Sequence, residues 1–207
     1  MITTNRIVLR PVLPSDYLRL YAIESDPATA LTWRYRGAMP PIEEYEAALW
    51  KQTQQIMVVE GRDTGTVVGY LQLHDLDLRA GHGWVSLYSG PEHRGSGLVM
   101  EGGLAFTEWA FNEWPIRWLY AHSFEHNVHS FESGIRRGSA VRLGVLRERM
   151  LVDGEFTDVH VIGIERERWF ASTVRRRFNT LRERENRSSA LFNRDTQEYC
   201  PREPDKD

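Results

Sequence analysis

The segment Gly90-Pro91-Glu92-His93-Arg94-Gly95-Ser96-Gly97-Leu98-Val99-Met100 constrains this chain more than any other stretch. Before it, residues 83–89 alternate Trp84, Ser86 and Tyr88 with Val85 and Leu87, the period of two expected of a strand whose faces meet different surroundings. After it, Leu98, Leu104, Ala105, Trp109 and Phe111 recur at spacings that suit one side of a helix. The chain must therefore pass from strand to helix through a glycine-rich turn. The first amides of such a helix have no carbonyl partner inside it, and they point outward with the positive end of the helix dipole behind them. An anion fits there. Gly95 and Gly97 allow a tight turn and close approach, and Arg94 adds a fixed cation. Arg94, Gly95, Ser96, Gly97, Leu98 and Val99 form the candidate anion-binding set.

The flanking sequence reads as alternating strands and helices. Residues 6–10, Arg-Ile-Val-Leu-Arg, are a β-rich run stopped by Pro11 and form the first expected strand. Pro14-Ser15-Asp16 offers capping groups before Tyr17, Leu18, Leu20, Tyr21 and Ile23, which predicts a helix. A short helix around Ala28 to Trp33 and a loop carrying Arg34, Tyr35 and Arg36 follow. Pro41 with Glu43, Glu44 and Glu46 then opens a helix predicted to reach about Gln54. Residues 56–59, 66–73 and the strand before the glycine turn make a three-strand meander. The helix after the turn should end near Trp114-Pro115, because the residue before proline is biased away from helix. Residues 118–123 give another strand, a short helix runs from Glu125 towards Gly138, and Asp153-Gly154 joins residues 144–151 and 157–164 in a closing hairpin.

Arg94-Gly95-Ser96-Gly97 resembles the Arg/Gln-x-x-Gly-x-Gly/Ala signature of GNAT-family acetyltransferases, whose loop holds the pyrophosphate of acetyl-coenzyme A. The last small residue of that signature falls on Val99, which is expected to crowd the pyrophosphate. The order of elements is also that of the GNAT fold. Thr4 to Pro11 looks like the opening of the ribosomal-protein Nα-acetyltransferase branch, Asn127-Val128-His129-Ser130 resembles that branch's Asn-x-x-Ser, and Arg136 to Ser139 lies where it has Lys-Leu-Gly-Phe. The resemblance implies an α+β (mixed α/β) GNAT fold with a mixed, twisted sheet of about seven strands flanked by about four helices.

The same resemblance implies an enzyme moving an acetyl or other short acyl group from acetyl-CoA, or another acyl-CoA, to a primary amine of a small molecule or a protein N-terminus by direct attack. Such a transfer needs a neutral amine, a polarised carbonyl and a proton for the departing thiolate. Backbone near Leu87 and Tyr88 would face the pantetheine arm. The tyrosine many relatives place seven residues beyond the motif asparagine is replaced by Gly134, leaving Ser130 as the implied proton donor, or else a local hydrogen-bonding group of its helix. Asn127 would orient the pantetheine or cap the helix. Tyr88 is a candidate acceptor-side or proton-relay group, with core or wall as the commoner place for an aromatic in a strand. Trp33, Arg34, Arg36 and Trp84 are candidates for the acceptor wall, and His74, Asp75, Asp77 and His82 read as exposed turn groups rather than a base. Two other readings stand beside this one: an acyl carrier protein as donor, favoured by Val99, and a non-catalytic binding module.

The bulk composition excludes more than it assigns. With 207 residues and a formal charge of −3, the chain suits one domain over residues 1–170 with a charged extension over 171–207. Nothing pulls it globally towards nucleic acid or membrane, no signal segment is evident, and a cytoplasmic monomer or homodimer is expected. Cys200 is the single cysteine and the seven histidines lack ligand spacing, so no metal is expected. Five arginines between Val174 and Glu185 predict a solvated helix or a basic docking surface, and residues beyond Asn186 are expected to be disordered, with Leu191 and Phe192 as anchors for a partner.

Overall fold

The computed structural model describes residues 1–27, 30 and 34–180. The expectations for Trp33, the helix around it and the extension beyond residue 180 lie outside the described residues. In chain order the elements are β1 (Ile2–Thr3), β2 (Ile7–Pro11), α1 (Tyr17–Glu24), α2 (Ile42–Trp50), β3 (Thr53–Gly61), β4 (Val67–Asp77), β5 (His82–Ser89), α3 (Leu98–Glu113), β6 (Trp118–Phe124), α4 (His129–Arg136), β7 (Val141–Val152), β8 (Glu155–Glu165) and α5 (Arg166–Ala171). A further helical run covers residues 173–180. One eight-stranded sheet carries them all, in the order β1-β2-β3-β4-β5-β6-β8-β7. Its pairings are antiparallel except between β5 and β6. The expected seventh-strand count falls short by β1, a two-residue strand too short to carry a period.

Alternation along the strands sorts side chains into two layers. Met57, Val59, Leu71 and Val85 face α3, where Phe106, Ala110 and Phe111 close one core. Ile56, Val58, Tyr70 and Tyr88 face α1 and α2, where Leu20, Ile23, Tyr45 and Leu49 close the other. Asp16 fixes the entry to α1: it accepts from the Leu13 amide at 2.8 Å and pairs with Arg10 at 2.8 Å. Helix α2 stops at Trp50, short of the expected Gln54, because Gln52 takes a left-handed φ of 59° and Thr53 already belongs to β3. The glycine turn, α3 and its stop before Pro115 form as the sequence predicts. So does the closing hairpin, where Asp153 and Gly154 both have positive φ.

Residues 173–180 are not a solvated helix. Val174 and Phe178 pack onto the α3 core, and Arg175 pairs with Glu108 of α3 at 2.8 Å. No helix among the described residues is long and apolar enough to cross a membrane.

Candidate active site

Strands β5 and β6 pair only at His82–Trp84 with Trp118–Tyr120 among the described residues, while β4 stays paired with β5 through Ser89. Beyond Trp84 and Tyr120 the two parallel strands diverge, leaving a wedge in the middle of the sheet. A cavity of about 650 Å³ opens on the α3 side of this wedge. Val85, Leu87, Leu104 and Phe106 give it apolar walls, and Trp169, Val174 and Phe178 contribute from the C-terminal segments. Its polar residues include Thr4, Arg6, Glu101, Ser130, Arg137 and Arg177.

The glycine turn lies at the rim. Gly95 and Gly97 have φ of 75° and 76°, which a side chain would strain, and Gly97 is the residue immediately before α3. The Ser96 hydroxyl donates to the His93 carbonyl at 2.6 Å and accepts from the Leu98 amide at 3.3 Å, fixing the turn. Arg6 is a cation that sequence reading missed here: its guanidinium donates to the Ser96 carbonyl at 3.2 Å and pairs with Glu101 at 2.7 Å. Glu101 also accepts from Thr4. This pairing offsets a carboxylate that would otherwise oppose an anion at the helix start.

The remaining expected residues divide between the two faces of the wedge. Leu87 and Gly97 line the cavity. Val99 does not crowd it: the side chain is buried in the α3 core against the face of Gly69, because the first turn of α3 rotates position 99 towards the sheet. The observation that favoured a carrier-protein donor is thereby removed. Tyr88 is not a proton relay either. It is buried in the opposite core, its hydroxyl donates to the Ile23 carbonyl at 2.8 Å, and its ring stacks on Tyr70. Ser130 lines the cavity and its hydroxyl donates to Asn127 Oδ1 at 3.0 Å, so Asn127 orients Ser130 rather than capping α4 through its side chain. Gly134 lies on the same wall, where no tyrosine stands.

On the face opposite the cavity, a smaller hollow of about 380 Å³ is lined by Arg34, Lys51, Gln52, Thr53, His74, Asp75 and Ser86. Arg34 donates to the Leu49 carbonyl at 3.1 Å and to Gln72 Oε1. Arg36 is more remote and reaches Met150 Sδ at 2.9 Å. Trp84 stands at the point of divergence with its ring 4.4 Å from that of His122. His74, read from sequence as an exposed turn group, is half-buried: Nδ1 lies 2.7 Å from Asp75 Oδ2 and Nε2 3.0 Å from Ser86 Oγ. Burial, together with Arg149 and His74, lowers the pKa of His122. Among the described residues no group of three His, Cys, Asp or Glu is placed to hold a metal ion.

Residues 6–133 match the profile of the acetyltransferase (GNAT) domain. The chain belongs to that family. It is an acetyltransferase, and members of the family use acetyl-CoA as cosubstrate. No curated protein matches the sequence. Among solved structures, spermidine N-acetyltransferase from Vibrio cholerae in complex with CoA and spermine is 16% identical with a TM-score of 0.66, covering 79% of this chain and 98% of its own. An acetyltransferase (GNAT family) from Bacillus anthracis is 17% identical at TM-score 0.65, covering 80% and 98%. A GCN5-related N-acetyltransferase from Brucella melitensis is 20% identical at 0.66, covering 86% and 83%. At these identities the likeness establishes the fold.

The residues present fit the coenzyme. The largely apolar cavity suits a pantetheine arm, and the open space beside Gly95 and the α3 amides suits a pyrophosphate.

Proposed function

We propose that this acetyltransferase joins the acetyl group of acetyl-CoA to a primary amine, of a small molecule or a protein N-terminus, by direct attack across the β5/β6 wedge. One observation carries the reading: the two hollows approach the same three residues from opposite faces, with Val85 and Leu87 lining one and Ser86 the other. A donor held on the α3 side and an amine entering from the α2 side would meet there, which removes most of the entropic cost of bringing two molecules together.

The donor end is assigned to Arg94, Arg6 and the amides of the α3 first turn, with Arg137 and Arg177 as further cations on the same cavity. Ser130 would turn from Asn127 and donate to the departing sulfur. The acceptor hollow holds Arg34 and Lys51 against Asp75, which supports an amine that also carries a carboxylate or phosphate. The ribosomal-protein-like opening and Asn127 to Ser130 support a protein N-terminus as the alternative acceptor. A polyamine is suggested by the spermidine enzymes of the same fold, but it would bring further positive charge to Arg34 and Lys51.

Calorimetric titration with acetyl-CoA tests the donor site. The wild type should bind at micromolar concentration, and Arg94→Glu or Gly97→Asp should weaken binding by more than about tenfold, since each sets a carboxylate against the phosphates. Failure of the wild type to bind would overturn the reading. Ser130→Ala should keep the donor Kd and lower kcat by about 100-fold, the small end of the range for proton-transfer groups; an unchanged kcat would remove Ser130 from the chemistry.

A further inference from the structure

We propose that His74, oriented by Asp75 and reached through the Ser86 hydroxyl, is the proton acceptor for the incoming amine. This rests on the acetyl-transfer reading above and adds the group that reading lacks. The register of β4 and β5 pairs His74 with Trp84 and Gln72 with Ser86, so His74 and Ser86 are diagonal neighbours on one face. Trp84 is the last residue of β5 paired with β6, which puts the His74–Ser86 contact at the apex of the wedge, opposite the donor cavity.

The hydrogen-bond chemistry fixes the direction of proton movement. The Asp75 carboxylate accepts only, so the contact at 2.7 Å requires a hydrogen on Nδ1. The neutral ring then offers the Nε2 lone pair, and Ser86 must donate to it across 3.0 Å. Asp75 is held for this role at a cost. It has a left-handed φ of 46°, and its amide donates at 3.0 Å to the carbonyl of Gln52, whose φ is 59°. Two non-glycine residues in that conformation facing one another, both lining the hollow, are the kind of local strain that functional sites retain.

A neutral amine forms its new C–N bond to the thioester carbonyl carbon through the nitrogen lone pair. The surplus proton on nitrogen passes to Ser86 Oγ as the Ser86 proton passes to His74 Nε2, leaving an imidazolium beside Asp75. The C–S electron pair departs with sulfur, which takes one proton by way of Ser130, replenished from water, and His74 later returns its proton to solvent. One proton leaves nitrogen and one arrives on sulfur. The other groups around His74 are Lys51 and Arg34 from the α2 side, His122 on β6 and Arg149 of β7 beyond it.

The test follows coenzyme A release at several pH values with acetyl-CoA and four probe amines: β-alanine, O-phosphoethanolamine, spermidine and a peptide amide with a free N-terminus. With the best probe, His74→Gln should lose about 100-fold in kcat/KM and the acidic limb of the pH profile, with the acetyl-CoA Kd unchanged. Asp75→Asn should lower kcat about tenfold without raising KM, since it positions the ring. Wild-type turnover with a His74→Gln profile inside twofold of it overturns this inference alone. Acetyl-CoA binding without turnover of any probe overturns the amine-transfer reading, and this inference with it.

Discussion

Gly69→Ala is expected to lower the stability of the fold by about 3 kcal/mol, the upper end of the usual cost of overpacking. Gly69 is buried on β4, paired with Ser89. A Cβ there would lie 2.1 Å from the Tyr88 carbonyl oxygen and 2.6 Å from Val99 Cγ2. The second contact could be relieved by turning a side chain. The first is with the backbone of β5 at the diverging end of the wedge, and only a shift of strands can relieve it. Urea unfolding of Gly69→Ala and of Gly69→Ala with Val99→Ala separates the two: the second substitution should restore little. A midpoint equal to wild type would mean that β4 and β5 part without cost. Under the proposed donor placement in the wedge, the folded fraction of the variant should bind acetyl-CoA more weakly.

Glu108→Ala should cost about 3 kcal/mol, as expected when one partner of a largely buried ion pair is removed. Glu108 of α3 accepts from the indole N–H of Trp169 at 2.7 Å and pairs with Arg175, which donates from Nε at 2.8 Å and from Nη2 at 2.8 Å. One carboxylate thus holds α3, α5 and the 173–180 run together. Removing it strands a buried indole N–H and a half-buried guanidinium. Glu108→Gln, which keeps the shape, should lose less. Burial by itself would raise this carboxyl's pKa, but the hydrogen bonds and charge of Arg175, with the Trp169 indole, hold it below the usual glutamate value. The same balance of burial against Arg10 and the Leu13 amide holds Asp16 below its usual value. A lowered folded-state pKa contributes stability that is complete above the unfolded-state value, about 4 for these groups, and is lost as pH falls through the lower folded one. Wild-type urea midpoints should therefore fall between pH 5 and pH 3, as is general for acid unfolding. The Glu108→Ala curve should fall less steeply, and parallel curves would remove Glu108 from the acid response. Because Val174, Arg177 and Phe178 line the cavity proposed for the donor, Glu108→Ala should also raise the acetyl-CoA Kd.

The strand, glycine turn and helix were legible because each depends on near neighbours in sequence. Positive φ at Gly95 and Gly97 and the stop before Pro115 are local consequences of residue type. Alternation along β5 separated Val85 and Leu87 from Tyr88, but a period of two does not say which face is core and which is cleft, and so the sequence left Tyr88 open between a relay and the core it occupies. Val99 was misread for a related reason: a loop motif does not fix the rotation of the helix that follows it. Arg6 lay beyond reach because its partner Ser96 is brought to it only by packing of the first strands under α3. His74 and Ser86 are diagonal neighbours through a register that ends in an irregularity between His74 and Asp77. No spacing in the sequence announces that meeting. Phe178 is a lone aromatic among arginines, which a composition-based reading assigns to solvent.

The placement of β8 between β6 and β7 bears on how the chain is made. Synthesis delivers the glycine loop, Arg94 and the His74–Ser86 pair first, and domains begin to fold from the N-terminal side as they emerge. Strand β6 gains its second neighbour only when β8 arrives, and the cavity gains Trp169, Val174 and Phe178 later still. An elongating chain therefore carries the glycine loop and the His74–Ser86 pair long before the cavity beside them gains its C-terminal wall. Until then the outer edge of β6 is an open template for other strands.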